Sequence, residues 1–142
     1  MSIEANKALA RAAIAVWTTG DDGRAGEVFA ADYVMHQHHD PEGAGDLDLA
    51  QMAAFAREFR ETFPDLRDTI DIQVAEGDLV ATRFTSSGTQ SGAYHGIAAT
   101  GRRMAWTGTV IDRIADGRIR ESWGNWDMLG MLQQMGADLR QP

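Results

Sequence analysis

The sequence contains no cysteine. This absence excludes disulfides, thiolate nucleophiles, cysteine-ligated zinc and iron–sulfur clusters. Positive charge is also scarce. Lys7 is the only lysine, and the sequence has 13 basic and 21 acidic residues, which gives a net charge of −8. Binding to nucleic acid through phosphates needs a clustered excess of basic residues. We therefore expect no nucleic-acid partner, and the chemistry left open is acid–base catalysis or plain binding.

Long apolar runs are absent as well. Glu4, Lys7 and Arg11 interrupt the first twenty residues, which leaves no signal-peptide core, and no stretch approaches the roughly 20 apolar residues of a membrane span. We expect no membrane partner and a cytoplasmic location. With 142 residues, 44% of them hydrophobic, the chain is long enough for one domain over residues 1–142.

The apolar pattern has helical spacing in the first half of the chain and alternates in the second. Residues 3–17 and 49–63 predict amphipathic helices, and Pro64 ends the second of them. Between Leu66 and Val74 the apolar residues share one face of a strand, and Gly77 and Gly117 mark turns. The predicted elements are helices at 3–17, 24–29, 49–63 and after Asp127, an extended segment at 32–36, and strands at 66–74, 79–87, 104–114 and 118–126.

This order of elements predicts an α+β fold. Helices that cover one face of a strongly curved antiparallel sheet form a cone, and the interior of such a cone is too wide for side chains alone to fill. We therefore expect a pocket inside the domain.

Three of the four histidines lie in residues 36–39. In an extended segment His36, His38 and Asp40 would point to the same side, which is compatible with a divalent metal, although histidines beside an acidic loop are more often solvated. We predict no metal. His36 by itself follows an apolar segment at the expected mouth of the cone, so it is a candidate for proton transfer or a hydrogen-bonded wall residue.

Arg83 lies in the middle of a predicted strand. A charged side chain there must face solvent, a carboxylate or a polar cavity. It could hold a substrate carboxylate or an enolate oxygen, or it could pair with Glu121 as part of the scaffold.

Aromatic residues on the predicted elements are candidates to line the pocket. Trp106 and Trp126 lie on the last two strands, where tryptophan also serves in cores and dimer interfaces. We expect a pocket for flat, ring-containing molecules, with substrate-binding residues Tyr33, Trp106, Trp126, Trp17 and Phe59.

Six segments, in order along nearly the whole chain, resemble the SnoaL-like polyketide cyclase family, also called ester cyclases. They are Trp17-Thr18-Thr19-Gly20-Asp21, Phe29-Ala30-Ala31-Asp32-Tyr33-Val34, Phe63-Pro64-Asp65-Leu66, Gly96-Ile97-Ala98-Ala99-Thr100-Gly101-Arg102-Arg103, Asp116-Gly117-Arg118-Ile119 and residues 126–136. The resemblance implies the cone-shaped fold of nuclear transport factor two.

The resemblance also implies a reaction, an intramolecular aldol condensation that closes a ring of a polyketide ester without metal or organic cofactor. A pocket aspartate would take a proton from carbon. An ungapped match from the Asp116-Gly117 turn assigns that aspartate to Gly124, and its supporting glutamine and histidine to Gly108 and Val110. None of these three residues can serve as a base.

We therefore expect a cofactor-free acid–base enzyme for a hydrophobic carbonyl or aromatic compound, with His36 as proton carrier and Arg83 as anion-stabilising group. The alternative, motivated by Gly124, is a non-catalytic protein that binds a hydrophobic small molecule. A sheet face that exposes tryptophan would favour self-association, so we also predict a homodimer.

Overall fold

The protein folds into four helices and a six-stranded sheet within the residues that the computed structural model describes, which are 2–36, 45–138 and 140. The helices are α1 (Ile3–Thr19), α2 (Asp22–Val28), α3 (Leu49–Thr62) and α4 (Met128–Gln134). The strands are β1 (Phe29–His36), β2 (Leu47–Asp48), β3 (Arg67–Glu76), β4 (Leu79–Thr89), β5 (Arg103–Ala115) and β6 (Arg118–Trp126).

Local chemistry fixes the helix ends. The Ser2 hydroxyl caps α1, and α1 ends at Gly20, whose φ of +73° suits a residue without a side chain. Asp48 starts α3 with a capping box. The predicted cap of the last helix is confirmed, because Asp127 Oδ1 accepts a hydrogen bond of 2.8 Å from the backbone N–H of Gly130.

The sheet is curved and does not close on itself. Its strand order is β2-β1-β6-β5-β4-β3, and every neighbouring pair is antiparallel except β1 and β6, which are parallel. The predicted α+β cone is therefore confirmed. The sequence pattern did not indicate β2, because two residues are too few for an alternating pattern.

A bulge in β3 changes which residues face the interior. Ile70 lies opposite Phe84, whereas Ile72 lies opposite Arg83, the preceding residue of β4. The extra residue between them moves the rest of the strand to the other face. Ile72 and Val74 are consequently 57% and 61% exposed, so the predicted single apolar face of Leu66 to Val74 is wrong beyond Ile70.

Two hydrophobic clusters fill different parts of the cone. One joins α1 to β1 and includes Phe29 and the fully buried Ile119; the other lies under α4 and includes Phe63 and Met131, both also fully buried. Trp126 packs against both clusters. None of the described helices combines the length and the apolar character needed to cross a lipid bilayer.

Candidate functional site

A cavity of about 100 Å³ lies where α1 and α3 cover the inner face of the sheet. Residues of both hydrophobic clusters line it, such as Phe29 of the first cluster and Trp106 of the second. The five aromatic residues that the sequence proposes as substrate-binding all line it: Tyr33, Trp106, Trp126, Trp17 and Phe59. That they bind a substrate stays a prediction.

Asp112 is the carboxylate buried most deeply in the cavity wall. It belongs to the inward-facing side of β5, is 2% exposed, and accepts a hydrogen bond of 2.5 Å on Oδ1 from the Ser122 hydroxyl. Its other oxygen, Oδ2, has no hydrogen-bond partner among the described residues. An unpartnered buried carboxylate oxygen is costly for stability, and such groups concentrate where a protein does chemistry.

Burial raises the pKa of Asp112 to about 7, and the hydrogen bond from Ser122 opposes only part of this effect. Removal from water disfavours the charged form of a carboxyl group. The carboxyl can therefore both lose and regain a proton near neutral pH, which suits a general acid–base group.

Tyr33 lies in the cavity wall near this carboxyl group. Burial raises the pKa of Tyr33 well above its usual value, the neighbouring Ser122 opposes part of this effect, and the nearby Asp112 adds to it. The cavity wall therefore holds a neutral phenol beside the carboxyl group of Asp112.

Gly124, the position that the resemblance assigns to the family aspartate, faces the cavity. A Cβ atom built on it would lie 3.9 Å from the Trp126 ring and 4.0 Å from Met35, which are ordinary van der Waals contacts, so the backbone here has room for a Cβ atom that glycine lacks. Asp112 lies diagonally across from it, because Gly124 is opposite Val110 in the β5–β6 register. Diagonal neighbours in such a pair are about 7–8 Å apart, so Asp112 serves the same part of the cavity.

His36 lies on the outer face of the sheet, although its neighbours in β1 line the cavity. Its Nε2 is 2.9 Å from Oε2 of Glu121, its Nδ1 is 3.2 Å from Oδ2 of Asp46, and its ring stacks on Trp123 with centroids 5.1 Å apart. The hydrogen bond with Glu121 raises the pKa of His36. The alternation of β1 thus directs Tyr33 inward and His36 away from the cavity, contrary to the expected position at its mouth.

Arg83 also lies outside the cavity. It is exposed on the outer face of β4, beside the exposed Ile72 across the strand pair. Glu121, its alternative predicted partner, instead binds Arg113, with Nε 2.5 Å from Oε1. Arg83 is therefore not positioned to stabilise an anion in this cavity.

Two residues of the hypothetical metal set, His38 and Asp40, lie outside the described residues. Within the described part of the chain, no three histidine, aspartate or glutamate side chains are grouped as a metal site would require.

Sequence reasoning missed Asp112, although a signal for it exists. The alternate residues Trp106, Val110, Asp112 and Ile114 share one face of β5, and Asp112 is the charged member of an otherwise apolar face. A charge on the core side of a strand needs a partner or a function. The structure supplies one hydroxyl partner and a cavity, which together make Asp112 the leading functional residue.

Comparison with known proteins agrees with this architecture. The family model for SnoaL-like polyketide cyclases matches residues 7–135. The chain belongs to the SnoaL-like polyketide cyclase family. Its structural neighbours are SnoaL-like proteins of the superfamily of nuclear transport factor two. Among curated proteins, no sequence matches this chain.

Several solved structures resemble this SnoaL-like protein over nearly its whole length. AclR from Streptomyces galilaeus, a candidate hydroxylase, is 27% identical with a TM-score of 0.83 and covers 99% of this chain and 100% of its own. IdmH from Streptomyces antibioticus, a candidate polyketide cyclase, is 30% identical with a TM-score of 0.80, covering 93% and 99%. TsrD from Streptomyces laurentii is also 30% identical, with a TM-score of 0.82 and coverages of 97% and 99%.

Proposed function

We propose that this SnoaL-like protein catalyses cofactor-free proton transfer on a hydrophobic carbonyl compound, with Asp112 as the general base. The observation that carries the proposal is a carboxyl group buried in the wall of a largely apolar cavity, with one oxygen lacking a partner in the described part of the chain. Family membership supports a small-molecule substrate and a cyclase or isomerase type of reaction.

The proposed first step forms an enolate. The Asp112 carboxylate takes a proton from the carbon next to the substrate carbonyl, the C–H electron pair moves into the new C=C bond, and the carbonyl oxygen gains the negative charge. If the enolate carbon then attacks a second carbonyl, a C–C bond closes a ring and Asp112 returns its proton to the new alkoxide. If Asp112 instead returns the proton to a different carbon, the product is an isomer.

The surrounding residues support each part of this scheme. The Ser122 hydroxyl holds one carboxylate oxygen and leaves the other for the proton. The aromatic walls, including Trp106 and Trp126, make the cavity largely apolar and offer flat surfaces to a ring-containing substrate. Polar groups in a dry cavity act more strongly on developing charge than they would in water.

A second candidate is a binding protein without catalysis, which Gly124 favours. Gly124, the position that the resemblance assigns to the family base, carries no side chain, although a Cβ atom would fit there without a clash. In this alternative the cavity holds a hydrophobic molecule unchanged, and Asp112 only accepts hydrogen bonds.

Deuterium exchange distinguishes the two candidates without knowledge of the natural substrate. The bicyclic ketone 2-tetralone has acidic C–H groups beside its carbonyl and offers a flat ring. We expect the protein in D₂O at pD 8 to accelerate exchange at these carbons well beyond the rate in buffer alone or with heat-unfolded protein. Proton NMR measures the exchange through the loss of the corresponding signals. Binding of 2-tetralone with exchange at the buffer rate would reject the catalytic proposal in favour of the binding protein.

A homodimer through the outer face of the sheet is part of the proposal. Val74, Ala81, Ile111 and Trp123 lie in one row across β3, β4, β5 and β6. Val74 and Ile111 are 61% and 39% exposed. The apolar side chains of this row, three of them large, lie on an exposed sheet face and favour a self-complementary contact between two copies.

Charge in this row should separate the two copies. We expect sedimentation velocity at micromolar concentration to give the mass of two chains for the unaltered protein and of one chain for Val74→Asp combined with Ile111→Asp. Leu129→Asp is the control, because Leu129 is equally exposed at 58% but lies on α4. A monomeric unaltered protein, or a double variant that stays dimeric, would contradict this interface.

A further inference from the structure

Asp68 is a second carboxylate in the cavity wall. It lies on β3, where its Oδ1 accepts a hydrogen bond from the Ser86 hydroxyl of β4. Its Oδ2 contacts the Thr18 hydroxyl of α1, which shares its single proton between Asp68 and the backbone oxygen of Ile14. Both oxygens are thereby fixed in position by hydroxyl groups from two different elements.

The hydrogen bonding of Asp68 is incomplete for a charged group in an apolar wall. A carboxylate offers about four acceptor positions, and the two hydroxyls occupy two of them. Among the described residues, no arginine, lysine or histidine forms an ion pair with Asp68. A partly buried carboxylate without a cation is stabilised by further hydrogen-bond donors, and the cavity is where a ligand could provide one.

The strand register separates Asp68 from Asp112. Asp68 lies opposite Ser86 of β4, and Asp112 lies opposite Val80 of the same strand. Six residues of strand separate the two positions along the sheet, and because the sheet is curved the distance across the cavity is shorter than the roughly 20 Å of a straight strand of that length. The cavity therefore has carboxylates at two separate positions, and the aromatic residues Trp106 and Phe84 also line it.

We propose that Asp68 is a specificity-determining residue that accepts a hydrogen bond from a hydroxyl group of the substrate. This inference rests on the proposed function, in that the cavity must bind the substrate. The substrate class is then a hydrophobic ring compound with a phenolic or enolic hydroxyl distant from the carbonyl that reacts. A methyl ether at the same place would bury Asp68 against carbon without a donor, and a carboxylate would be repelled.

The test compares two ligands that differ only at this group, 6-hydroxy-2-tetralone and 6-methoxy-2-tetralone, by isothermal titration calorimetry. We expect the unaltered protein to bind the hydroxy compound at least tenfold more tightly, because a site that hydrogen-bonds a hydroxyl rejects an analogue without it. Asp68→Asn should reduce this ratio at least threefold, and Asp68→Leu should reverse it. Asp71→Asn is the matched control, since Asp71 also accepts a hydroxyl hydrogen bond, 2.7 Å from Thr85, but on the exposed side of β3.

Each outcome decides the proposal. If the unaltered protein binds both ligands with similar affinity, Asp68 does not select hydroxyl groups, whether or not its variants fold. If Asp68→Asn weakens both ligands equally, Asp68 serves only to join α1 to the sheet and the inference is overturned. If neither ligand binds the unaltered protein, the proposed function fails together with this inference, whereas the first two outcomes leave the proposed function standing.

Discussion

Replacing Asp112 with asparagine should lower the rate of deuterium exchange into 2-tetralone by about 10²- to 10⁴-fold, the usual contribution of a general base. The amide has nearly the same shape as the carboxyl group and can still accept the Ser122 hydrogen bond of 2.5 Å, but it cannot take a proton from carbon. We therefore expect the loss in kcat, with a smaller change in the affinity for the ketone.

The pH dependence of exchange gives an independent readout of Asp112. Burial raises the pKa of Asp112 to about 7, and the base must be ionised to act. The rate constant kcat/KM should therefore rise with pH through about 7 and then level off. The residual exchange of Asp112→Asn should lack this inflection.

His36→Ala separates this proposal from the role that the sequence predicts for His36. If Asp112 is the base, the His36 variant should retain most of its exchange activity, because His36 pairs with Glu121 and Asp46 outside the cavity. Loss of exchange in His36→Ala together with full activity in Asp112→Asn would reject Asp112 and restore the histidine.

Asp112→Asn should also change how the free energy of unfolding depends on pH. The pKa of Asp112 is about 7 in the folded protein, against 3.8 for an ordinary aspartate, so the folded state binds the extra proton between these two values. Protonated Asp112 therefore contributes its full stabilisation below pH 3.8, and this contribution is lost as the pH rises from there through about 7. The loss can reach about 4 kcal/mol, from a shift of roughly three pK units at 1.36 kcal/mol each.

The stability of Asp112→Asn relative to the unaltered protein should therefore increase by roughly 3 kcal/mol between pH 5 and pH 8, because the interval from pH 5 to about 7 accounts for most of the loss. Urea denaturation at the two pH values, followed by tryptophan fluorescence, measures the difference in the free energy of unfolding. The comparison between the two proteins is needed because His36, whose pKa is also raised, changes stability in the same direction in both. Parallel pH dependences would contradict a buried, titrating Asp112.

Much of the site could be predicted from the sequence, but its chemistry could not. The sequence predicts Trp106 and Trp126 in the cavity wall because they are aromatic residues of the last two strands, and both line it. His36 was expected there because it follows an apolar segment, yet in β1 it is the neighbour of Met35 and so faces the opposite side. A single residue of register decides between the cavity and the outer face.

The bulge in β3 illustrates the same limit. Alternation from Leu66 to Val74 predicts one buried face, and no local signal marks the extra residue between Ile70 and Ile72. Pairing with β4 determines where the bulge falls. Asp68 precedes the bulge and lines the cavity, whereas Val74 follows it and is exposed on the proposed dimer face.

The sequence by itself determined most of the order of helices and strands and the α+β cone, because these depend on apolar periodicity, caps and turns that are local in the chain. It determined the family through the resemblance of six segments. Only the tertiary structure decided which charged groups meet the cavity. Asp112 and Ser122 come from two strands. Their hydrogen bond and the burial that raises the pKa of Asp112 arise from strand register and packing. Solvent exclusion is a property of the whole fold, so the pattern of one segment does not contain it.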